Sequence, residues 1–221
     1  RGSGFCTFHK GNALKGETFM IAIIDYGVGN LFSLKCSISA VGHEAIVTCD
    51  RREIEKADHI LLPGVGAFED AARKLRDSSM AELVINEASK GKPLLGICLG
   101  MQLLLETSYE YGVHEGLGLI PGNVRPISDV IGPGLKIPQI GWNALKLVRQ
   151  TPLFKYVNDG DYVYFVHSYY AADCDDHVTA VTEYGADLTA AIARDNVMGC
   201  QFHPEKSGDI GLGILKAFCE L

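Results

Sequence analysis

Short, continuous apolar runs alternate with amphipathic segments along the first half of the chain. Such runs are typical of strands covered on both faces of a parallel sheet, and amphipathic segments are typical of helices that bury one side. The alternation therefore predicts an α/β fold with a parallel sheet. The predicted strands span 20–25, 44–48, 59–63 and 93–97; the predicted helices span 30–41, 67–75, 80–90 and 101–108; residues 51–56 are predicted as a polar connection.

The pattern changes to mainly strands in the second half of the chain. A shift of this kind favours antiparallel strands added to the parallel core over a second domain. We therefore expect a three-layer α/β fold: a central, mostly parallel mixed sheet with helices on both faces, plus a small antiparallel addition. The predicted strands span 122–127, 141–148, 161–170, 178–183, 189–193 and 197–201, the closing helix spans 210–221, and loops span 109–122 and 131–140.

The first 19 residues show no clean period and precede Met20, which opens the first predicted strand. Arg1-Gly2-Ser3 resembles a remnant of cloning, and Lys15-Gly16-Glu17 is compatible with translation of a purine-rich stretch upstream of Met20. We therefore predict a leader or cloning-derived segment over 1–19 and a single domain over 20–221. Loss of folding or activity on removal of residues 1–19 would contradict this prediction.

Composition narrows the class of protein. A net charge of −7 over 221 residues argues against nucleic acid or an anionic membrane as the main partner. No apolar run has the length of a membrane span, and the N-terminus lacks the layout of a signal peptide. Seven cysteines, an odd number without paired metal-ligand spacing, indicate a reducing cytosol, so we expect a cytoplasmic protein without a metal or other cofactor.

A G-x-C-x-G motif joins the strand predicted at 93–97 to the following helix, and we call residues 96–100 the elbow. In such a turn the nucleophile sits on a strained backbone, while the glycines avoid collisions with neighbouring elements. The N–H groups at the helix start favour a thiolate on Cys98. The alternative is a core cysteine between two elements, since free cysteines are often buried. The two glycines favour the nucleophile.

A candidate base lies far along the chain, where His203-Pro204-Glu205 follows a predicted strand. Residues two apart in extended backbone point the same way, and the proline restricts the local backbone. Glu205 can therefore hold one imidazole nitrogen of His203 and leave the other free to take a thiol proton. Cys98, His203 and Glu205 together suit acyl transfer. A metal site is the rival interpretation, but no second cysteine lies near Cys98.

Two further glycine turns follow predicted strands. Gly27-Val28-Gly29 lacks the third glycine of a dinucleotide fingerprint, so the pattern favours a βα turn with Asn30 as helix cap or exposed contact. Gly64-Val65-Gly66, which we call the glycine loop, can expose N–H groups to an oxyanion or a carboxylate. On its own, this pattern favours a tight turn into the next helix.

Two aromatic residues in the second half have ambiguous roles. Trp142, the only tryptophan, is either a core residue or an exposed contact for a partner, and its spacing favours the core. His167, near the end of a predicted strand, fits a structural histidine better than a catalytic one.

The motifs together resemble the class I (triad) glutamine amidotransferases, and within them the glutaminase subunits of imidazole glycerol phosphate synthases of histidine biosynthesis. The resemblance runs from Met20 to the C-terminus. It implies a flavodoxin-like three-layer fold with one glutamine amidotransferase domain over 20–221. The motifs that carry the resemblance are 25–30 (DYGVGN), 62–68 (LPGVGAF), 96–102 (GICLGMQ), 141–143 (GWN), 164–169 (YFVHSY) and 201–207 (QFHPEKS).

The resemblance implies a glutaminase with a Cys-His-Glu triad. In this family the thiolate, here Cys98, attacks the glutamine amide, the histidine, here His203, protonates the departing ammonia, and water releases glutamate from the thioester. The residues that the resemblance places in the site are Cys98, His203 and Glu205 as the triad, Gly64, Val65 and Leu99 around the oxyanion, and Gly66, Gln102, Ser168 and Tyr169 around glutamine.

The resemblance also implies a partner that consumes the ammonia. In this family the partner is a (β/α)₈-barrel cyclase, which cleaves a phosphoribulosyl-formimino intermediate into imidazole glycerol phosphate and an aminoimidazole carboxamide ribotide. A chain of 221 residues has no room for a barrel of about 250 residues, so we expect a heterodimer with a separate cyclase subunit. The residues that match interface positions of the family are Asn30, Trp142, Tyr164 and Lys206; this match moves Trp142 from the core to the interface.

Two other functions remain open at this point. The same chemistry could serve anthranilate, aminodeoxychorismate or pyridoxal phosphate synthesis, and co-purification with a different acceptor synthase would indicate this. The chain could also be an inactive regulatory or scaffold module that keeps the fold. The intact triad and the glycines at both loops argue against that alternative.

Overall fold

The computed structural model describes residues 19–221. Its strands are Met20–Ile24 (β1), Glu44–Thr48 (β2), His59–Gly64 (β3), Leu94–Cys98 (β4), Thr107–Ser108 (β5), His114–Glu115 (β6), Asn123–Pro126 (β7), Gln139–Ala144 (β8), Lys146–Leu147 (β9), Tyr162–His167 (β10), Tyr169–Ala172 (β11), Val178–Glu183 (β12), Asp187–Arg194 (β13) and Val197–Cys200 (β14). Its α-helices are Leu31–Ala40 (α1), Arg51–Lys56 (α2), Phe68–Asp77 (α3), Met80–Ser89 (α4), Leu99–Leu103 (α5) and Gly208–Cys219 (α6). Short 3₁₀ helices span Ile127–Asp129, Pro152–Phe154, Asp175–His177 and Pro204–Lys206.

The central sheet has eight strands in the order β2-β1-β3-β4-β14-β13-β12-β9. The first five are parallel, and the last three add antiparallel pairs. Two small sheets, β10-β8 and β11-β7-β5-β6, lie beside it. The expected mixed sheet with an antiparallel addition is confirmed.

Helices cover both faces of the central sheet. On one face, α3 and α4 bury Leu75 and Leu83 in a cluster with the side chains of β1 and β3 that point to that face. On the other face, α1 and α6 bury Leu34 and Ile214. Both faces of the parallel strands are therefore apolar, as the continuous apolar runs predict.

The region 51–56, predicted as a polar connection, forms the helix α2 instead. The Asp50 side chain caps this helix by accepting a hydrogen bond from the Arg52 N–H at 2.8 Å, and Glu53 lies in its first turn. Ile54 is its one buried residue. A helix this short carries no apolar period, although Asp50 with Glu53 three residues later is a recognisable start signal.

The helix predicted at 101–108 is also wrong, since α5 spans only Leu99–Leu103. Beyond it, the carbonyl groups of 103–106 accept hydrogen bonds from the N–H groups of 116–119, at 2.8 to 3.1 Å. Thr107 and Ser108 then pair as β5 with β6 and β7. The loop at 116–119 therefore donates hydrogen bonds to carbonyl groups that would accept bonds from within a longer helix.

The predicted leader lies almost entirely outside the described residues, so the division at residue 20 stays a prediction. Phe19, the first described residue, packs its ring against His43 and His59.

Candidate active site

Cys98 ends β4 at the carboxyl edge of the sheet, where ligands bind in open α/β sheets. Its backbone has φ 55° and ψ −113°, a region that residues other than glycine rarely occupy. The side chain is only 7% exposed. Strain of this kind persists where the surrounding structure imposes it, and it is frequent at functional sites.

The two glycines of the elbow are required by close backbone contacts. A Cβ on Gly100 would lie 1.8 Å from the Leu62 carbonyl oxygen, and a Cβ on Gly96 would lie 2.6 Å from the Gly100 carbonyl oxygen. β3, β4 and α5 can therefore approach each other only with glycine at these positions.

His203 and Glu205 lie beside Cys98. β14 pairs with β4 in parallel, Cys200 opposite Ile97, so the turn after β14 reaches the elbow. His203 Nδ1 lies 2.9 Å from Glu205 Oε1, and both side chains are buried. Burial lowers the pKa of His203, but the Cys98 sulfur and the Glu205 carboxylate outweigh it and raise the pKa to about 9. The surroundings therefore favour an imidazolium next to the sulfur.

The glycine loop continues β3, and Gly64 is the register partner of Cys98. Its two ends are fixed by side chains: the Tyr26 hydroxyl donates to the Pro63 carbonyl at 2.7 Å, and Glu110 accepts from the Phe68 N–H at 2.6 Å. Burial, together with the Cys98 sulfur, raises the pKa of Tyr26, which keeps its hydroxyl protonated as a donor.

A cavity of about 590 Å³ opens above the elbow. It brings together Cys98, His203 and most of the other predicted site residues. The predicted residues that line it are Val65, Gly66, Cys98, Leu99, Gln102, Ser168, Tyr169, His203 and Lys206. Gly64 and Glu205 instead line a void of about 10 Å³ behind His203.

Gln102 lies one helical turn beyond Cys98 and is buried. Its amide nitrogen donates to the Tyr169 carbonyl at 3.1 Å and to the Gln201 side chain at 3.0 Å. Gln201 in turn directs its amide nitrogen at the Cys98 sulfur, 3.7 Å away. This hydrogen-bonded chain connects the predicted glutamine-binding residues to Cys98.

The structure adds residues that the sequence did not single out for this site. Glu110, a buried carboxylate, lines the cavity, but it lies in an aperiodic loop that carries no signal. Gln201 lies within a motif that gave it no role. His167 lines the cavity as well; burial lowers its pKa to about 4, and its nitrogens lie 2.8 Å from the Tyr169 carbonyl and 3.0 Å from the Gln139 amide oxygen. His167 is therefore a buried histidine whose neutral ring donates its one N–H to one of these oxygens; its structural rather than catalytic role stays a prediction.

The four residues predicted at an interface lie at or near the surface. Trp142 is 52% exposed, so the core placement favoured by its spacing is wrong. Its ring contacts that of Tyr164, with centroids 6.2 Å apart, and Lys206 Nζ lies 5.7 Å from the Tyr164 centroid. Asn30 is exposed and occupies the N-cap position of α1, but its side chain makes no capping hydrogen bond; its contact with a partner stays a prediction.

Within residues 19–221, no set of three or more His, Cys, Asp or Glu side chains is arranged to hold a metal ion. None of the helices in that range is long and apolar enough to cross a membrane.

Comparisons with known proteins agree on a family. The family profile described as Glutamine amidotransferase class-I matches residues 22–219. The chain is 52% identical to the imidazole glycerol phosphate synthase subunit HisH of Caldanaerobacter subterraneus subsp. tengcongensis over 91% of this chain and 98% of that protein. The HisH subunits of Geobacter sulfurreducens and Wolinella succinogenes are each 48% identical over 91% of this chain, and the matches cover 98% and 100% of those proteins.

Solved structures share the fold at lower identity. PurLQS from Thermotoga maritima has a TM-score of 0.71 at 19% identity and covers 92% of this chain and 99% of that chain. A crystal structure of a glutamine amidotransferase has a TM-score of 0.70 at 18% identity, with 91% and 99% covered. The profile and the relatives show that the chain belongs to the class I glutamine amidotransferases and, within them, to the HisH subunits of imidazole glycerol phosphate synthase.

Proposed function

We propose that this chain hydrolyses L-glutamine to glutamate and ammonia through a thioester on Cys98, and that the ammonia passes to a separate (β/α)₈-barrel cyclase. The observation that carries the proposal is the strained elbow, which holds Cys98 beside His203 in one cavity, with Glu205 2.9 Å from Nδ1 of His203. The identity to HisH subunits over nine-tenths of the chain supports the choice of synthase.

The first step is nucleophilic attack. Glu205 holds Nδ1 of His203, so Nε2 takes the proton of the Cys98 thiol. The thiolate attacks the side-chain carbonyl carbon of glutamine, and a tetrahedral oxyanion forms. The raised pKa of His203 supports this step, because the imidazolium is stabilised beside the sulfur.

The oxyanion is held by backbone N–H groups of Leu99 and of the glycine loop. Leu99 is the first residue of α5, where N–H groups have no partner within the helix. Gly64 lies close to it, since a Cβ on Gly64 would be 3.0 Å from the Leu99 Cβ. One such donor contributes about 3 kcal/mol, so rotation of a peptide in the glycine loop would switch the activity on or off.

Gly66, Gln102 and the backbone of Ser168 and Tyr169 hold the substrate. They line the cavity around the elbow, which supports their assignment. The Gln102 amide is already fixed by its bonds to Tyr169 and Gln201, so it presents its remaining oxygen in one orientation.

Breakdown of the tetrahedral intermediate releases ammonia. His203 gives the proton to the departing nitrogen as the C–N bond breaks, and the thioester remains on Cys98. Water, deprotonated by His203, then attacks the thioester carbon; the C–S bond breaks and glutamate leaves.

Ammonia becomes unreactive ammonium in water, which favours direct transfer to the cyclase. The cyclase subunit would dock on the surface formed by Asn30, Trp142, Tyr164 and Lys206, giving a cytoplasmic heterodimer that forms imidazole glycerol phosphate and aminoimidazole carboxamide ribotide. Trp142 supports this docking site because a large, half-exposed aromatic is typical of interface anchors.

The decisive experiment measures glutamate release from glutamine with and without a purified cyclase subunit and its nucleotide ligand. We expect release to rise strongly in the loaded complex. A loaded complex that releases no glutamate would favour the inactive scaffold, and glutamate release that responds only to a different acceptor synthase would change the proposed pathway.

The docking surface is tested by Trp142→Ala. We expect weaker association with the cyclase, by tenfold or more in Kd, because a truncated aromatic anchor costs about 2 kcal/mol. The far-ultraviolet circular dichroism of the subunit should be unchanged. A Kd equal to that of wild type would contradict the docking surface.

A further inference from the structure

Ser207 is a buried serine in the turn that carries His203. It is 1% exposed, and its hydroxyl makes two hydrogen bonds. It donates to the His203 carbonyl at 2.7 Å and accepts from the Tyr164 N–H, on β10, at 3.0 Å. Ser207 therefore bridges the backbone of His203 to a strand from another part of the chain.

A second bond completes the attachment. The His203 N–H donates to the Tyr164 carbonyl at 2.9 Å. The backbone N–H and C=O groups of Tyr164 are thus both hydrogen-bonded to the turn at 203–207. β10 is itself firmly placed, since it pairs with β8 over its whole length and buries Val163 and Phe165.

The turn has little regular structure of its own. Only three residues of it, Pro204–Lys206, form a 3₁₀ helix, and such short pieces are weakly self-supporting. The position of the His203 imidazole therefore depends on what holds the turn. Cys98, by contrast, is held by the close backbone contacts of the elbow.

We propose that Ser207 is a positioning residue that fixes His203 at working distance from Cys98 by hydrogen-bonding the His203 turn to β10. This inference rests on the proposed function, in which His203 moves protons to and from the reacting groups. Small displacements of such a group have large effects, since about 1 Å of misplacement can cost 10²-fold in rate.

The sharpest test compares Ser207→Thr with Ser207→Val. The two side chains have the same shape, and only threonine keeps the hydroxyl. The comparison therefore separates the hydrogen bonds from the space that the extra atoms occupy. Ser207→Ala is made alongside as the smaller truncation.

Two measurements are sensitive to the position of the His203 imidazole. The first is the pH profile of Cys98 alkylation by iodoacetamide, resolved by peptide mass spectrometry because Cys36 and Cys49 are exposed thiols. The second is glutamine hydrolysis by the complex with the cyclase and its nucleotide ligand. In Ser207→Val we expect alkylation of Cys98 to be at least fivefold slower at pH 7 than in Ser207→Thr, with the pH profile shifted to higher pH. We expect the kcat of Ser207→Val for glutamine hydrolysis to be at least tenfold lower than that of Ser207→Thr, with the KM values within threefold of each other.

Thr182→Val is the matched control. Thr182 is fully buried, and its hydroxyl donates to the Ala144 carbonyl at 3.0 Å. This variant should lose thermal stability but keep the wild-type alkylation profile. Equal alkylation profiles and equal kcat for Ser207→Val and Ser207→Thr, whatever their melting temperatures, would overturn the positioning role.

Failure of the proposed function gives a different result. In that case wild-type protein releases no glutamate in the loaded complex, while the alkylation profiles still test the position of His203. If wild-type protein is active and the Ser207 pair does not differ, only the positioning role fails.

Discussion

The elbow and the glycine loop end the neighbouring parallel strands β4 and β3, yet their backbones are constrained in different ways. In the elbow, a Cβ on Gly100 would overlap a backbone oxygen of β3. In the glycine loop, a Cβ on Gly66 would meet nothing within 4 Å, although its φ of +96° favours glycine. The elbow is therefore locked by packing, and so is Gly64, where a Cβ would lie 2.8 Å from the Gly100 nitrogen, whereas the glycine loop is open around Gly66.

The difference suits two chemical tasks. A nucleophile must keep one position relative to its base, and dense packing holds Cys98 in a strained conformation. The oxyanion switch that we propose at the glycine loop needs a peptide that can rotate. The bonds of Tyr26 to Pro63 and of Glu110 to Phe68 confine such a rotation to the residues between them.

The largest expected effect comes from Cys98→Ala, which tests whether the elbow carries the chemistry. Glutamine-dependent synthesis by the complex should fall by at least about 10⁵-fold, because no nucleophile remains. Synthesis with added ammonium salt should stay within twofold of wild type. Loss of both activities would contradict the role of an ammonia donor.

Glu205→Gln tests whether the base must be held as firmly as the nucleophile. The amide keeps a hydrogen-bonding oxygen but removes the charge that supports the His203 imidazolium. We expect glutaminase activity to fall about 10²-fold to 10⁴-fold, less than in Cys98→Ala, because the nucleophile remains. Steady-state kinetics of glutamine hydrolysis by the complex measure this loss. Equal losses in Glu205→Gln and Cys98→Ala would contradict the assignment of Cys98 as nucleophile and Glu205 as the residue that orients His203.

Gly100→Ala and Gly66→Ala compare the two loops directly. In Gly100→Ala the backbone of α5 or β3 must shift, so we expect the free energy of unfolding to fall by about 3–5 kcal/mol. In Gly66→Ala only the positive φ opposes the new side chain, which costs about 1–2 kcal/mol. Denaturant unfolding of both variants measures the difference; similar losses would mean that the loops are equally constrained.

The last prediction extends the comparison to the histidines of the cavity. Burial lowers the pKa of His167 to about 4, so below pH 6.5 the unfolded chain binds a proton that the folded protein does not. Stability should therefore fall as the pH falls from 6.5 to 4, by up to about 3 kcal/mol from this group. His203 has the opposite sign: its pKa of about 9 stabilises the fold below pH 6.5, and this contribution is lost as the pH rises through 9.

Unfolding of wild type and His167→Gln between pH 7 and 4 measures the His167 contribution. We expect a smaller decrease in the variant. His59, whose pKa is also lowered by burial, contributes equally to both proteins and cancels in the comparison. Identical slopes would falsify the assignment to His167.

Sequence patterns predicted most of the elements because the parallel strands are apolar on both faces. They located the strand before the elbow to within one residue at each end. They missed α2, which buries one side chain, and they overextended α5, because the run of leucines at 103–105 suits a helix or a buried strand equally well.

Local chemistry was readable from the sequence alone. The glycines around Cys98 and the pairing of His203 with Glu205 form motifs of neighbouring positions, although the contact that requires Gly100 is made by the Leu62 carbonyl on β3. Tertiary structure decided the rest. Strand β14 places the His203 turn beside the elbow, and the 116–119 loop ends α5. The opposite pKa shifts of His167 and His203, like the exposure of Trp142, depend on which distant groups surround each side chain, and a linear pattern does not contain those contacts.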